Sequence, residues 1–194
     1  MVKFIKYTAV GFLTLSTVVF TSCKDKAPED TKEAAQEIND KNMEGHSAEK
    51  NAQFAVDAYS NGLMEIEMSK LAQQKSTSED VKSLAGEMID AHTKVNAELK
   101  EIADRKNIVL AEGLTEDQRD KLNKGMEKEG NEIDEYYSEK LVSAHKDAID
   151  LFEKASDKEE DADLKNFFSS KLPELKQHLE KAETLENKVK SRRS

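Results

Sequence analysis

Glu65, His92, His145 and His178 are the side chains best placed to do chemistry, because each stands in the middle of an apolar stripe at helical spacing. At about 100° of turn per residue, Val81, Ala85, Met88, Val95, Leu99 and Ala103 share the face of His92, with Asn96 beside it. His145 falls with Leu141, Val142, Ala148, Ile149 and Phe152, and His178 with Leu164, Phe167, Phe168, Leu175, Ala182, Leu185 and Val189. Glu65 points the way of Phe54, Ala58, Gly62, Ser69 and Ala72, whereas Glu67 points away. An inward polar group needs a partner, since leaving it unpaired costs roughly 1 to 3 kcal/mol.

Two kinds of partner fit. Three neutral imidazoles and a carboxylate suit one transition metal ion (Zn, Cu, Fe or Mn) or another small ligand, and the core of a helical bundle is where metal sites are built. The same residues also suit a buried polar layer, in which Glu65 pairs with a histidine and Asn96, Tyr137 or water satisfies the rest. That second reading makes the chain a structural or interaction protein of unknown partner. No Ser-His-Asp arrangement, Gly-rich phosphate loop, CxxC or HExxH motif is found, so no catalytic residue is assigned. Enzymatic chemistry, such as an oxidative-stress function, would have to run through the cluster itself. Met64, Met68 and Met88 read as core filler.

Positioning these residues takes four long helices, and the pattern predicts them over 47–75, 79–106, 131–156 and 162–190, with a short one over 116–127. Ser76 with Glu79, or Ser78, caps the second helix, and Thr115 with Gln118 forms a capping box for the short one. Gly125 and Gly130 separate the short helix from the third long one, the loop 107–114 lies over the end of the bundle, and DKEEDAD (157–163) reads as a charged turn. Pro173 should kink or restart the last helix. The fold expected is all-α, an up-down-up-down four-helix bundle with a short extra helix between its second and third long members. Helical rise puts Glu65 and His92 about 15 and 21 Å from their shared end, and His145 and His178 about 16 and 24 Å from theirs. The four residues could therefore share one layer or form two pairs.

The remaining chain reads as address and surface. Residues 1–22 join a basic start (Lys3, Lys6) to an apolar run from Ala9 to Phe20, and Phe-Thr-Ser-Cys closes it as a lipoprotein-type signal with Cys23 as the lipidated residue. The apolar run is short for a permanent membrane span, and a soluble periplasmic product is the alternative to a lipid anchor. Residues 23–47, polar and carrying Pro28, Gly45 and a solvated His46, read as a flexible tether. A helix over Thr31 to Lys41 would have little to bury. The folded domain then covers 48–190, and 191–194 form a basic tail. The net charge is -10. Removing Lys3 and Lys6 with the signal makes it -12, 28 basic against 40 acidic residues, a surface that repels nucleic acid. The lone cysteine can form no internal disulfide.

Four segments carry a family resemblance: GLMEIEMSKLAQQKS (62–76), VKSLAGEMIDAHTKVNAELKEIA (81–103), IDEYYSEKLVSAHKDAIDLF (133–152) and LPELKQHLEKA (172–182). From about Asn51 to Leu185 the chain resembles the bacterial domain of unknown function 4142, a ferritin-like four-helix domain common in envelope proteins. The family's polar positions fall on Glu65, Asp90, His92, Asp134, Tyr137, His145 and His178, and Ile133 stands where the family usually has Phe. The resemblance implies a fold far more than an activity, and with the Cys23 signal the expected location is the bacterial cell envelope, lipid-anchored in the outer membrane and facing periplasm or cell surface. A di-iron oxidase reading fails on residues, because such bundles place glutamate three positions before each ligand histidine and this chain has Ile89, Val142 and Leu175 there.

Overall fold

The computed structural model describes residues 31–43 and 46–192; the signal, Cys23, the start of the tether, the His46 side chain and residues 193–194 lie outside the described residues. Six helices and no strand are found among them: α1 (Thr31–Asn42), α2 (His46–Lys75), α3 (Glu79–Arg105), α4 (Glu116–Met126), α5 (Asn131–Lys158) and α6 (Ala162–Ser191). No described helix is long and apolar enough to cross a membrane.

The four long helices close a ring, with α2 and α6 each packed against both α3 and α5. Direction along the ring departs from the expected order. Lys75 at the end of α2 pairs with Glu129, just before α5, at 2.8 Å, so α5 begins where α2 stops. Lys171 and Lys181 of α6 meet Glu98 and Glu87 of α3, an antiparallel sequence of contacts. Every neighbour in the ring is thus antiparallel, and in chain order the long helices run up, down, down, up. The expected up-down-up-down order is corrected because residues 106–130 carry the chain back along α2. Asn39 bonds Val109 at one end, Gln118 bonds Ser60 midway, and Gly125 lies so close to Leu71 that a Cβ would sit 2.9 Å from its Cδ2.

The interior has two apolar bodies. One gathers Ala58, Leu99, Ala148, Phe152, Phe168 and Leu175, and the other Met68, Met88, Ile133, Tyr137, Val142 and Ala182. On each long helix the titratable residue falls between the two: Glu65 between Ala58 and Met68, His92 between Met88 and Leu99, His145 between Val142 and Ala148, His178 between Leu175 and Ala182. Counted from the end that holds Lys75, Glu79, Asn131 and Ser191, all four lie about 15 to 21 Å down. The reversed direction of α5 preserves the common layer because these residues stand near mid-helix.

The tether expected over 23–47 is shorter than its composition suggests. Within it α1 packs on α2 with Ala35 and Asn39 buried, held by polar bonds more than by apolar area. Asn39 donates to the Val109 carbonyl at 2.9 Å and accepts from its N–H at 2.8 Å, while Thr31 donates to the Gly113 carbonyl at 2.8 Å. The loop 107–114, with Ile108 and Ala111 buried, needs such partners for its backbone. Two smaller expectations also change. Ser76 forms no capping box but donates to Asp134, and Ser78 occupies the N-cap of α3 without a side-chain capping bond, its hydroxyl accepting from Arg192 instead. The helix α6 continues through Pro173 without restarting; Pro173 and Ser169, whose carbonyl loses its N–H partner, are both exposed, so water can substitute. The Thr115–Gln118 capping box forms as expected.

Candidate metal centre

Local sequence explains why each site residue points inward. Small residues open the contact between α2 and α3: Gly62 lies so near Asn96 that a Cβ would sit 2.2 Å from the amide oxygen, and Asn96 donates to the Tyr59 carbonyl at 3.2 Å. This close approach carries Glu65 and His92 to each other, Glu65 Oε2 lying 3.3 Å from His92 Nε2. The same oxygen is 3.2 Å from His145 Nδ1. Across the ring, α6 brings His178 into the group, with ring centroids 6.0 Å from His92 and 5.5 Å from His145, and 5.5 Å separates His92 from His145.

One ring nitrogen from each of His92, His145 and His178 lies within 4.8 Å of the other two; the Glu65 carboxylate is not part of that mutual group. All four residues are buried, His145 fully. Their hydrogen bonding is incomplete, since Glu65 Oε2, His92 Nε2, His145 Nε2 and His178 Nδ1 are buried and make no hydrogen bond. The distances from Glu65 to the two rings are short, but the directions do not suit hydrogen bonding. His145 Nδ1 lies 3.0 Å from the Leu141 carbonyl, which can only accept, so that nitrogen holds a proton, and in the neutral ring Nε2 carries the lone pair. This is the arrangement that orients a ligand imidazole. Burial, reinforced by the neighbouring His145 and His92, pulls His178 down to about 4, so its ring is neutral at pH 7 as a metal ligand must be. Glu87 approaches the outer nitrogen of His178, Nε2, at 3.9 Å, a neighbour that stripe reasoning passes over because Glu87 sits on the wet face of α3.

The polar groups that a purely hydrogen-bonded layer would need are engaged elsewhere. Asn96 bonds the Tyr59 backbone, and Tyr137 shares a 3.1 Å bond with Ser69. Burial raises the Tyr137 hydroxyl above its ordinary value, the Ser69 bond opposing and the Glu65 charge adding to the rise. Asp134, also buried, accepts from Ser76 at 2.5 Å and so belongs to the α2–α3 turn rather than to the cluster. Asp90 is exposed on α3 and takes no part in the layer.

Two spaces reach the layer. A cavity of about 20 Å³ is lined by Glu65, His92 and His178 together with Ala58, Gly62 and Ala91, and His145 is not among its walls. A groove of about 180 Å³ between α2 and α5, lined by Met64, Met68, Leu141 and Ala144, also ends on Glu65. Tetrahedral ions hold nitrogens at about 2.0–2.1 Å and hence about 3.3 Å apart, so binding would draw the three rings together by on the order of 1 Å.

The family model described as "Domain of unknown function (DUF4142)" matches residues 33–185. No curated protein and no solved structure matches the chain.

Proposed function

From the premise that the chain belongs to the DUF4142 family, we propose that it is a lipid-anchored bacterial envelope protein whose helical core binds one transition metal ion. His92, His145 and His178 supply the donors and Glu65 stands beside them. The observation that carries the reading is the set of unpartnered buried nitrogens on three different helices, together with the unpartnered Glu65 oxygen. Buried polar atoms in native proteins have partners, and an ion is the partner that three imidazole lone pairs share. Imidazole-rich donors favour Zn, Cu or Fe over Mn.

The fold reading that accompanies this is a four-helix bundle of the ferritin-like kind. Its support is the ring of antiparallel neighbours and the single long connection, 106–130, between the second and third long helices. The envelope location rests on the signal-like segment 1–22 and on Cys23; a fatty-acid probe incorporated in a Cys23-dependent way is the expected result.

Metal analysis tests the central reading. The protein, purified without a tag, is expected to hold near one metal per chain, and His92→Ala and His145→Ala to abolish it. Metal-free protein that takes up none of Zn, Cu, Fe or Mn would end the proposal.

A further inference from the structure

We propose that the three imidazoles leave one position of the ion open, and that this position takes a small neutral hydroxylic molecule of a few atoms, whose hydrogen Glu65 accepts. The inference rests on the metal reading above and deepens it. Three mutually close ring nitrogens define the donors, and Glu65 stands outside that group, its Oε2 3.3 Å from His92 Nε2 and 3.2 Å from His145 Nδ1, the nitrogen that holds that ring's proton. Sites with three protein ligands keep their fourth position for an exogenous molecule.

Space for that molecule exists on one side of the cluster. The cavity of about 20 Å³ touches Glu65, His92 and His178, and it exceeds the roughly 10–15 Å³ that one water needs. Its other walls are mostly apolar, including Ala58, Ala91 and Val95, with Asn61, Asn96, Lys171 and Glu174 as the remaining polar members, and Glu65 is the carboxylate within 3.3 Å of a histidine ring in this wall. Glu65 Oε2 is buried with no hydrogen bond, and an ionised carboxylate can only accept. A ligand that brings a hydrogen satisfies it, whereas an anion meets like charge. Asn61 and Glu65 line both the cavity and the α2–α5 groove, so the two spaces adjoin at these residues.

The test uses the protein loaded with cobalt(II), whose visible bands report coordination, and azide as the anionic probe. Glu65→Gln keeps the side chain's shape and removes its charge. It is expected to retain cobalt and to bind azide at least tenfold more tightly than the parent. In Glu65→Gln with Ala91→Leu, cobalt is expected to stay and the azide-dependent change to vanish, and imidazole, too large for the cavity, should perturb none of the spectra. Equal azide affinity with and without the carboxylate, or no azide response in either protein, overturns the inference. So does retention of the azide response when the cavity is filled. A Glu65→Gln protein that melts like metal-free parent but cannot load cobalt makes Glu65 a ligand and closes the site, leaving the metal reading intact. Parent protein that never takes cobalt removes both.

Discussion

Two sets of buried polar groups stand in contrast among the described residues, one hydrogen-bonded and one not. Around the periphery, Asn39 exchanges two bonds with Val109, Ser76 reaches Asp134, and Gln118 bonds Ser60 while closing its box with Thr115 at 3.0 and 3.1 Å. Across the middle, four residues from four helices meet with a lone oxygen and three ring nitrogens unbonded. The first population holds connections in place: α1 on the 107–114 loop, α5 on the α2–α3 turn, α4 on α2. The second sits between two apolar bodies, where leaving donors or acceptors unpaired costs most. The rim residues named here are hydrogen-bonded and the central four are not, which is the contrast that the proposed ion would account for.

The largest effect that separates the two populations is the response to metal. An ion bound only by the native state and present at a thousandfold over its Kd adds about 4 kcal/mol, roughly 10 °C for a domain of this size. Chelation should remove that increment in the parent, leave nothing to remove in His92→Ala, and remove the same increment in Asp134→Ala. A melting curve indifferent to chelator and to reloading would merge the two populations into one.

Much of this division is legible in the amino-acid pattern. The stripes place α2, α3, α5 and α6 close to their observed limits and point Glu65, His92, His145 and His178 inward, because 3.6-residue periodicity is strong over helices of 27 to 30 residues. Chain direction is not legible. Nothing in the periodicity of α5 says which end of α2 it starts from, and that depends on how 106–130 lies along α2 through Ser60, Gln118, Leu71 and Gly125. Nor is α1, since Asn39 binds a loop carbonyl and N–H that have no sequence signature. Ser76 and Glu79 have capping-box spacing, yet the Ser76 oxygen accepts from the Ser78 N–H while its hydroxyl donates to Asp134, and Ser78 takes the N-cap. Asp90 has the same standing as Asp134 on resemblance, and only burial parts them.

A charged group at the α5–α6 junction sharpens the contrast through pH. The DKEEDAD run reads as a charged turn, but within it Glu159 is 3% exposed, and burial, aided by Asp161 and opposed by Lys106, pushes its carboxyl up to about 7. A carboxyl raised above its unfolded value holds its proton longer in the native state, so its contribution is full below about pH 4.5 and is lost as pH rises through 7. Glu159→Gln should therefore flatten the stability profile between these values and stabilise the protein at pH 8, by at most about 3 kcal/mol, measured by urea unfolding at several pH values. Metal content should not change, because the residue is remote from the layer. Asp134→Ala probes the satisfied population directly. Loss of a buried charged acceptor should cost about 2 kcal/mol at neutral pH in urea unfolding, again with metal stoichiometry intact.

The smallest effect has the opposite sign from ordinary core mutagenesis. Truncating a satisfied buried group destabilises, but replacing an unsatisfied one by an apolar side chain of similar volume removes a desolvation cost and creates no orphan. His178 has an unbonded buried Nδ1 and an outer nitrogen 3.9 Å from Glu87 that makes no hydrogen bond in this arrangement. In metal-free protein His178→Leu is expected to raise stability by about 1 kcal/mol, and in metal-loaded protein to lose the whole chelator-sensitive increment. The two melting experiments on one variant thus move in opposite directions. Destabilisation of the metal-free form by about 1 kcal/mol or more would mean that His178 is satisfied there, and the centre of the protein would then obey the same rule as its rim.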